Sequence, residues 1–147
     1  MIVVQEGSWT MNRFDFQKLA DLRLREAKAL LAAGFPDGAY YLAGYAVECA
    51  LKACIAKLTR EHDFPDKKLV NDSHTHNLKD LLRLAELRDD LEALIEADAE
   101  MQSTLDKVQE WAETSRYKRK TTQEAALLLD AIEDRTGGLL PWIRLHW

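Results

Sequence analysis

Hydrophobic residues recur along most of this chain at intervals of three and four, which is the spacing of one face of an α-helix. The first such segment begins near Phe14 and ends at Gly34. Pro36 opens a second segment that extends to about Lys57. Because the connection between the two segments is short, we predict an antiparallel helical hairpin. No alternating pattern typical of a β-strand competes with this interpretation.

The middle of the chain is predicted to hold a loop followed by a short helix. Residues 61–72 mix charged residues with Pro65 and show no sustained period, so we expect a surface loop there. Thr75 or Asn77 then supplies the cap of a short helix. The apolar positions of that helix are Leu78, Leu81, Leu82 and Leu84.

The last third of the chain is predicted to form two longer helices. The fourth helix extends from about Asp89 to Tyr117, and its apolar stripe turns polar near the end. The fifth begins at Thr121 or Thr122, stops at Gly137, and is followed by a tail that restarts at Pro141. We therefore predict an all-α fold, an up-and-down bundle of about five helices.

Length and composition indicate a single soluble domain. The chain has 147 residues, of which 47% are hydrophobic and 31% charged. We expect residues 1–10 to be a flexible N-terminal extension, because they show no periodicity, and residues 11–147 to form one domain. No segment has the apolar length of a membrane span or the pattern of a signal peptide, so we expect a cytoplasmic protein without membrane contact.

The charge of the chain is unevenly distributed. A net charge of −5 argues against a general coat for nucleic acid, yet residues 116–120, RYKRK, form a local basic cluster. Such clusters are more often a solvated helix end than a binding site. Cys49 and Cys54 lie on one predicted helix about 140° apart around its axis, so they should not bridge and are interpreted as core residues.

Glu48 stands in the middle of the apolar second helix and requires partners. A stripe of Tyr41, Tyr45, Glu48 and Lys52 runs along one side of this helix. Burying a charge without partners costs roughly several kcal/mol. One interpretation is an ion pair on a half-exposed flank with Lys52, which lies one turn away. The other is a polar site, and both stay open on the residues alone.

Several segments, in order, resemble the HEPN domain family. They are Leu22–Gly34, Gly38–Lys57, Thr75–Leu82, Trp111–Tyr117 and Gly138–Trp147. The resemblance implies an up-and-down helical bundle, commonly a homodimer, often encoded beside a small nucleotidyltransferase as a toxin–antitoxin pair. No cofactor is expected. The implied role is binding of nucleotide or RNA, or pairing with such a partner in toxin–antitoxin or defence systems. The alternative is a purely structural, dimeric interaction module.

Many members of this family are metal-independent RNases that carry an Arg followed, after four to six residues, by a His. In this chain Arg116 would need a His at positions 121–123, which are Thr121, Thr122 and Gln123. The motif is therefore incomplete, and we expect the family's usual RNase activity to be absent. Whether the chain is an enzyme stays open, since a divergent RNase that uses His76 and Arg116 as catalytic residues is a further alternative.

The candidate binding residues are Glu48, Lys52, His76, Arg116 and Tyr117. Arg116 and His76 would contact phosphate, and Tyr117 would stack on a base. Against this, Arg116 could pair with Glu48 inside the bundle, and His76 could simply hold a loop. We favour a mixed case in which Glu48 orients Arg116 towards a pocket shared with His76. No metal site is expected, because His74 and His76 have no third ligand at a recognisable spacing.

Overall fold

The computed structural model of this protein describes residues 11–59, 64 and 66–147. Within those residues it contains eight α-helices, one short 3₁₀ helix and no strand, so the prediction of an all-α fold is confirmed. The elements are α1 (Arg13–Ala32), α2 (Pro36–Leu58), α3 (Lys67–Asp72), α4 (Leu78–Leu84), α5 (Arg88–Ala97), α6 (Ala99–Gln109), the 3₁₀ helix (Glu113–Tyr117), α7 (Thr122–Glu133) and α8 (Leu139–Arg144). None of these helices combines the length and the apolar character that crossing a membrane requires.

The first two helices form the predicted hairpin. Asn12 and Asp15 cap the start of α1 reciprocally, each side chain accepting a hydrogen bond from the other residue's backbone N–H. The turn between the helices needs a positive φ of 89° at Gly34, which a glycine adopts without strain. Pro36 then begins α2. The two helices pack along each other.

Helix α2 is the centre of the bundle. It contacts α1, α4, α7, α8 and the 3₁₀ helix, and most of its residues between Ala39 and Ile55 are buried. Small side chains let neighbouring elements approach closely: the ring of Trp111 lies so near Gly44 that any Cβ there would overlap it. Trp111 also donates a hydrogen bond from Nε1 to the Tyr41 carbonyl oxygen, 3.1 Å away. These contacts hold the segment that enters the 3₁₀ helix against α2.

The prediction of one long helix from Asp89 to Tyr117 is wrong. Asp98 is extended, with φ −137° and ψ 102°, and its side chain accepts a hydrogen bond from the Glu100 backbone N–H. An aspartate in this position caps a new helix instead of continuing the previous one. The chain leaves helical geometry again between α6 and the 3₁₀ helix. Three shorter elements therefore replace the single predicted helix.

The predicted loop over residues 61–72 is only partly correct. Asp66 accepts a hydrogen bond from the Lys68 backbone N–H and caps α3, a short helix with no buried residue. Residues 60–63 and 65 lie outside the described part of the chain. The same holds for residues 1–10, so the division into a flexible extension and a domain of residues 11–147 stays a prediction.

The predicted ends of the last two helices are wrong. Helix α7 ends at Glu133, because Asp134 leaves helical geometry with ψ 125°. Helix α8 begins at Leu139, ahead of Pro141.

The predictions for the start of α7 and for the cysteines agree with the structure. Thr121 caps α7 in a reciprocal arrangement with Glu124. Cys49 and Cys54 are buried and unbridged, as expected. Burial raises the pKa of both thiols to about 12. At neutral pH the thiolate form is negligible, so neither cysteine is a candidate nucleophile.

Candidate functional site

The carboxylate of Glu48 is buried, with only 1% of its side chain exposed. Its Oε1 atom lies 2.8 Å from Nδ1 of His76, and its Oε2 atom lies 3.6 Å from Nζ of Lys52. The Lys52 pair was one interpretation of the sequence, but it does not lie on a half-exposed flank, because the carboxylate is enclosed. A hydrogen bond to His76 and the nearby ammonium group therefore compensate its burial. No buried side-chain N or O atom in the described part of the chain lacks a hydrogen-bond partner.

His76 reaches Glu48 because the turn before α4 is held by its own hydrogen bonds. The Ser73 hydroxyl donates to the Val70 carbonyl oxygen at 2.8 Å, at the end of α3. Thr75 Oγ1 accepts from the Asn77 backbone N–H, and the Asn77 side chain caps α4. Of the two predicted caps, Asn77 is therefore the helix cap and Thr75 shapes the turn. This geometry presents the His76 ring to α2.

The His76 ring has one enclosed edge and one open edge. Because a carboxylate only accepts hydrogen bonds, the contact with Glu48 assigns a proton to Nδ1. The ring is 42% exposed, and its Nε2 atom points away from Glu48 and lies 3.6 Å from Oε1 of Glu113. When the imidazole is neutral, its Nε2 lone pair is therefore on the open side. Besides its contact with Glu48, His76 therefore presents its second ring nitrogen to another ionisable group, Glu113.

Arg116 approaches the same atom of Glu113 from the 3₁₀ helix. Its Nη2 atom lies 3.9 Å from Oε1 of Glu113, and its Cζ atom lies 4.7 Å from the centre of the Tyr117 ring. The adjacent Tyr117 raises the pKa of Arg116 above its usual value, and Glu113 raises it further by a smaller amount. The guanidinium therefore stays charged. Arg116 side-chain exposure is 45% and that of Tyr117 is 76%.

The interpretation in which Arg116 pairs with Glu48 is wrong, and so is the idea that Glu48 orients Arg116 directly. Glu48 contacts His76 and Lys52, whereas Arg116 contacts Glu113 and Tyr117. The physical reason is position along the chain: Arg116 is an exposed residue of the 3₁₀ helix, while the turn before α4 brings the imidazole of His76 to the buried carboxylate. Glu48 therefore orients His76.

A cleft of about 700 Å³ lies beside this cluster. One wall is residues 75–79, from the turn and the start of α4, and the other includes Trp111 and residues 112–114. His76 and Glu113 both line it. Glu48 and Lys52 instead line a second cavity of about 470 Å³ on the other side. The five predicted residues thus divide into an outer group, His76, Arg116 and Tyr117, and an inner pair.

Sequence reasoning missed Glu113, which joins the outer group. The spacing of Glu113 and Arg116, three residues apart, was a signal for a local ion pair. The approach of His76 to Glu113 was not predictable, because it joins elements far apart in the chain. Among the described residues, no group of three His, Cys, Asp or Glu side chains is arranged to hold a metal ion.

The family comparison identifies the class of protein. The model of the HEPN domain matches residues 15–134, and the chain belongs to the HEPN family. The resemblance drawn from the sequence is thereby confirmed. No curated protein and no solved structure matches the chain significantly. The matched range extends from α1 to just after α7 and contains every residue of the cluster around His76.

The start of α7 occupies the positions where the family's RNase motif places a histidine. Thr121 is the N-cap of that helix, and Thr122 and Gln123 are its first exposed residues. Any imidazole near Arg116 in this chain must therefore come from elsewhere in the fold. Within the cluster that imidazole is His76, which lies near the same carboxylate oxygen as Arg116.

A double-mutant cycle distinguishes the observed pair from the one expected from sequence. We predict that Glu48→Gln and His76→Ala show a coupling energy of about 1–2 kcal/mol in urea denaturation, because His76→Ala deletes the hydrogen bond that Glu48→Gln weakens by replacing its charged acceptor with an amide. The control cycle, Glu48→Gln with Arg116→Ala, should show a coupling below about 0.5 kcal/mol. Additive effects for Glu48 and His76, or stronger coupling to Arg116, would contradict this assignment.

Proposed function

We propose that this HEPN protein binds single-stranded RNA, or a nucleotide, through His76, Arg116 and Tyr117 on the open side of the cluster. The observation that supports it most directly is the placement of Arg116 against the well-exposed ring of Tyr117, across from the free edge of His76. Arg116 offers one contact to phosphate, His76 offers a second when its Nε2 atom carries a proton, and Tyr117 offers a stacking surface.

Arg116 and Tyr117 have the chemistry that single-stranded nucleic acid requires. A guanidinium group donates parallel hydrogen bonds to two phosphate oxygens. An exposed aromatic ring stacks on any base and contributes roughly 1–3 kcal/mol per base. Because the guanidinium already lies over the ring of Tyr117, both groups are held in one orientation before a ligand arrives.

Local charge also favours an anionic ligand, although the chain as a whole is acidic. Lys118 and Arg119 continue from Tyr117 and are exposed. Lys79 lines the cleft beside His76. These cations and Arg116 concentrate positive charge near the cluster, in a chain whose net charge is −5. The surface is small, which suits a short single strand or a nucleotide better than a duplex.

The binding proposal is tested by fluorescence anisotropy with a labelled single-stranded oligouridine and with competing mononucleotides. Arg116→Ala and Tyr117→Ala should each weaken binding about tenfold or more, and Arg116→Ala should lower the salt dependence by about one phosphate contact. Arg135→Ala makes the same charge change at an exposed position after α7 and is the matched control. No detectable binding by the wild type, or equal losses for Arg116 and Arg135, would overturn the proposal.

A divergent RNase is the second candidate, and the contact between His76 and Glu48 favours it. A buried carboxylate that accepts from Nδ1 leaves Nε2 available to take a proton. In the proposed step Nε2 removes the proton of a 2′-hydroxyl, whose oxygen attacks the adjacent phosphorus. The 5′-oxygen leaves and takes a proton from water, which gives a 2′,3′-cyclic phosphate. Arg116 would stabilise the charge on the phosphate oxygens.

This activity is measured on the same RNA by separation of the products. If His76 is the base, wild-type protein forms a cyclic phosphate end without added metal, and His76→Ala lowers the rate by about 10²–10⁴. Thermal melting of His76→Ala shows whether the variant remains folded. RNA that stays intact under saturating wild-type protein would exclude the catalytic candidate and leave the binding proposal standing.

We also propose that the protein is a homodimer, as HEPN domains commonly are, and that it acts with a small nucleotidyltransferase. Exposed apolar side chains support a partner surface, among them Phe14, Phe35 and Leu145. Light scattering should give about twice the chain mass of 16.8 kDa. A monomer at all micromolar concentrations would contradict the dimer.

The proposed partnership with a nucleotidyltransferase has its own test. A nucleotidyltransferase reading frame beside the gene would support this partnership, and its absence would argue against it.

A further inference from the structure

We propose that Glu113 is an internal competitor for phosphate: its carboxylate occupies the place between His76 and Arg116 that a phosphate group of the ligand takes. Binding then requires the Glu113 side chain to move aside. The inference rests on the proposed function and goes further, because it locates the phosphate between two named nitrogen atoms and makes the protein's affinity depend on a third residue.

The geometry around Glu113 is that of an anion placed between the Arg116 guanidinium and the open edge of the His76 ring, which donates from Nε2 when the ring is protonated. A single oxygen, Oε1, lies 3.6 Å from Nε2 of His76 and 3.9 Å from Nη2 of Arg116. These two distances place the two nitrogen atoms within about 7.5 Å of each other. When the His76 ring is protonated, a phosphate that accepts one hydrogen bond of about 2.8 Å at each of two oxygens can bridge donors up to that separation. The space between His76 and Arg116 therefore suits a phosphate group.

The contacts of Glu113 are loose compared with those of Glu48. Both of its ion-pair distances exceed the 2.7–3.2 Å of a hydrogen bond, whereas Glu48 lies 2.8 Å from the other nitrogen of His76. The Glu113 side chain is 40% exposed and lines the open cleft, so it can turn into water. Exposed ion pairs of this kind stabilise proteins only weakly. Of the two carboxylates beside His76, Glu48 is therefore fixed and Glu113 is displaceable.

A displaced carboxylate lowers affinity in two ways. The ligand must replace the contacts that Glu113 makes with His76 and Arg116, and the carboxylate remains nearby as a like charge. Substitution by glutamine removes the charge and preserves the shape of the side chain. If Glu113 instead served to position His76 and Arg116 for the ligand, the same substitution would weaken binding. The two roles therefore predict effects of opposite sign.

The test measures the affinity of labelled single-stranded oligouridine for Glu113→Gln by anisotropy at fixed salt. We expect binding tighter than that of the wild type by about threefold or more. Glu96→Gln is the matched control, because Glu96 is an exposed residue of α5 that does not line the cleft. It makes the same change in net charge and should alter affinity by less than about 1.5-fold. Unchanged melting temperatures verify that both variants are folded.

Two further arms separate this inference from the proposed function. In an Arg116→Ala background the gain from Glu113→Gln should disappear, because the competition concerns the site shared with Arg116. If the wild type binds RNA and Glu113→Gln binds it with equal or lower affinity, the competitor role is overturned and the RNA-binding proposal stands. No binding by either the wild type or Glu113→Gln would overturn both. An equal gain in Glu96→Gln would assign the effect to net charge and reject the inference.

Discussion

The burial of one carboxylate determines how this bundle and its candidate site are organised. Glu48 lies in the middle of α2, the helix that most other elements pack against, and is almost completely enclosed. A buried charge without partners would cost roughly several kcal/mol, a large fraction of the stability of a domain this size. The fold must therefore bring Lys52 and His76 to it. Hydrogen bonds within the turn between α3 and α4 hold that turn in the position from which His76 reaches Glu48.

The same constraint explains how a structural contact can prepare a functional one. His76 is fixed on one edge by Glu48, and its other edge is presented to Glu113, which lines the cleft and is approached by Arg116 from the 3₁₀ helix. The structural and functional interpretations of the polar residues thus apply to different sides of the same ring. The inner pair, Glu48 and Lys52, supports the fold, and the outer group with Tyr117 supplies the surface on which RNA binding is proposed.

Sequence periodicity was sufficient for the fold class and for the hairpin of α1 and α2, and it narrowed the caps of α4 and α7 to two candidates each, because these depend on local spacing. It failed at Asp98, where apolar residues keep a helical spacing across a break that the capping carboxylate makes. Burial cost alone identified Glu48 as needing a partner. The identity of that partner, His76, depended on how the turn between α3 and α4 lies against α2, and no residue pattern contains this information.

The protonation state of the His76 ring tests the central claim most directly. In NMR spectra of protein with ¹⁵N-labelled histidine, at a pH where the ring is neutral, we expect the proton on Nδ1 and a free lone pair on Nε2. In Glu48→Gln this preference should be lost, because an amide no longer imposes the acceptor role on that side. A proton on Nε2 in the wild type, or a tautomer that Glu48→Gln leaves unchanged, would contradict the account.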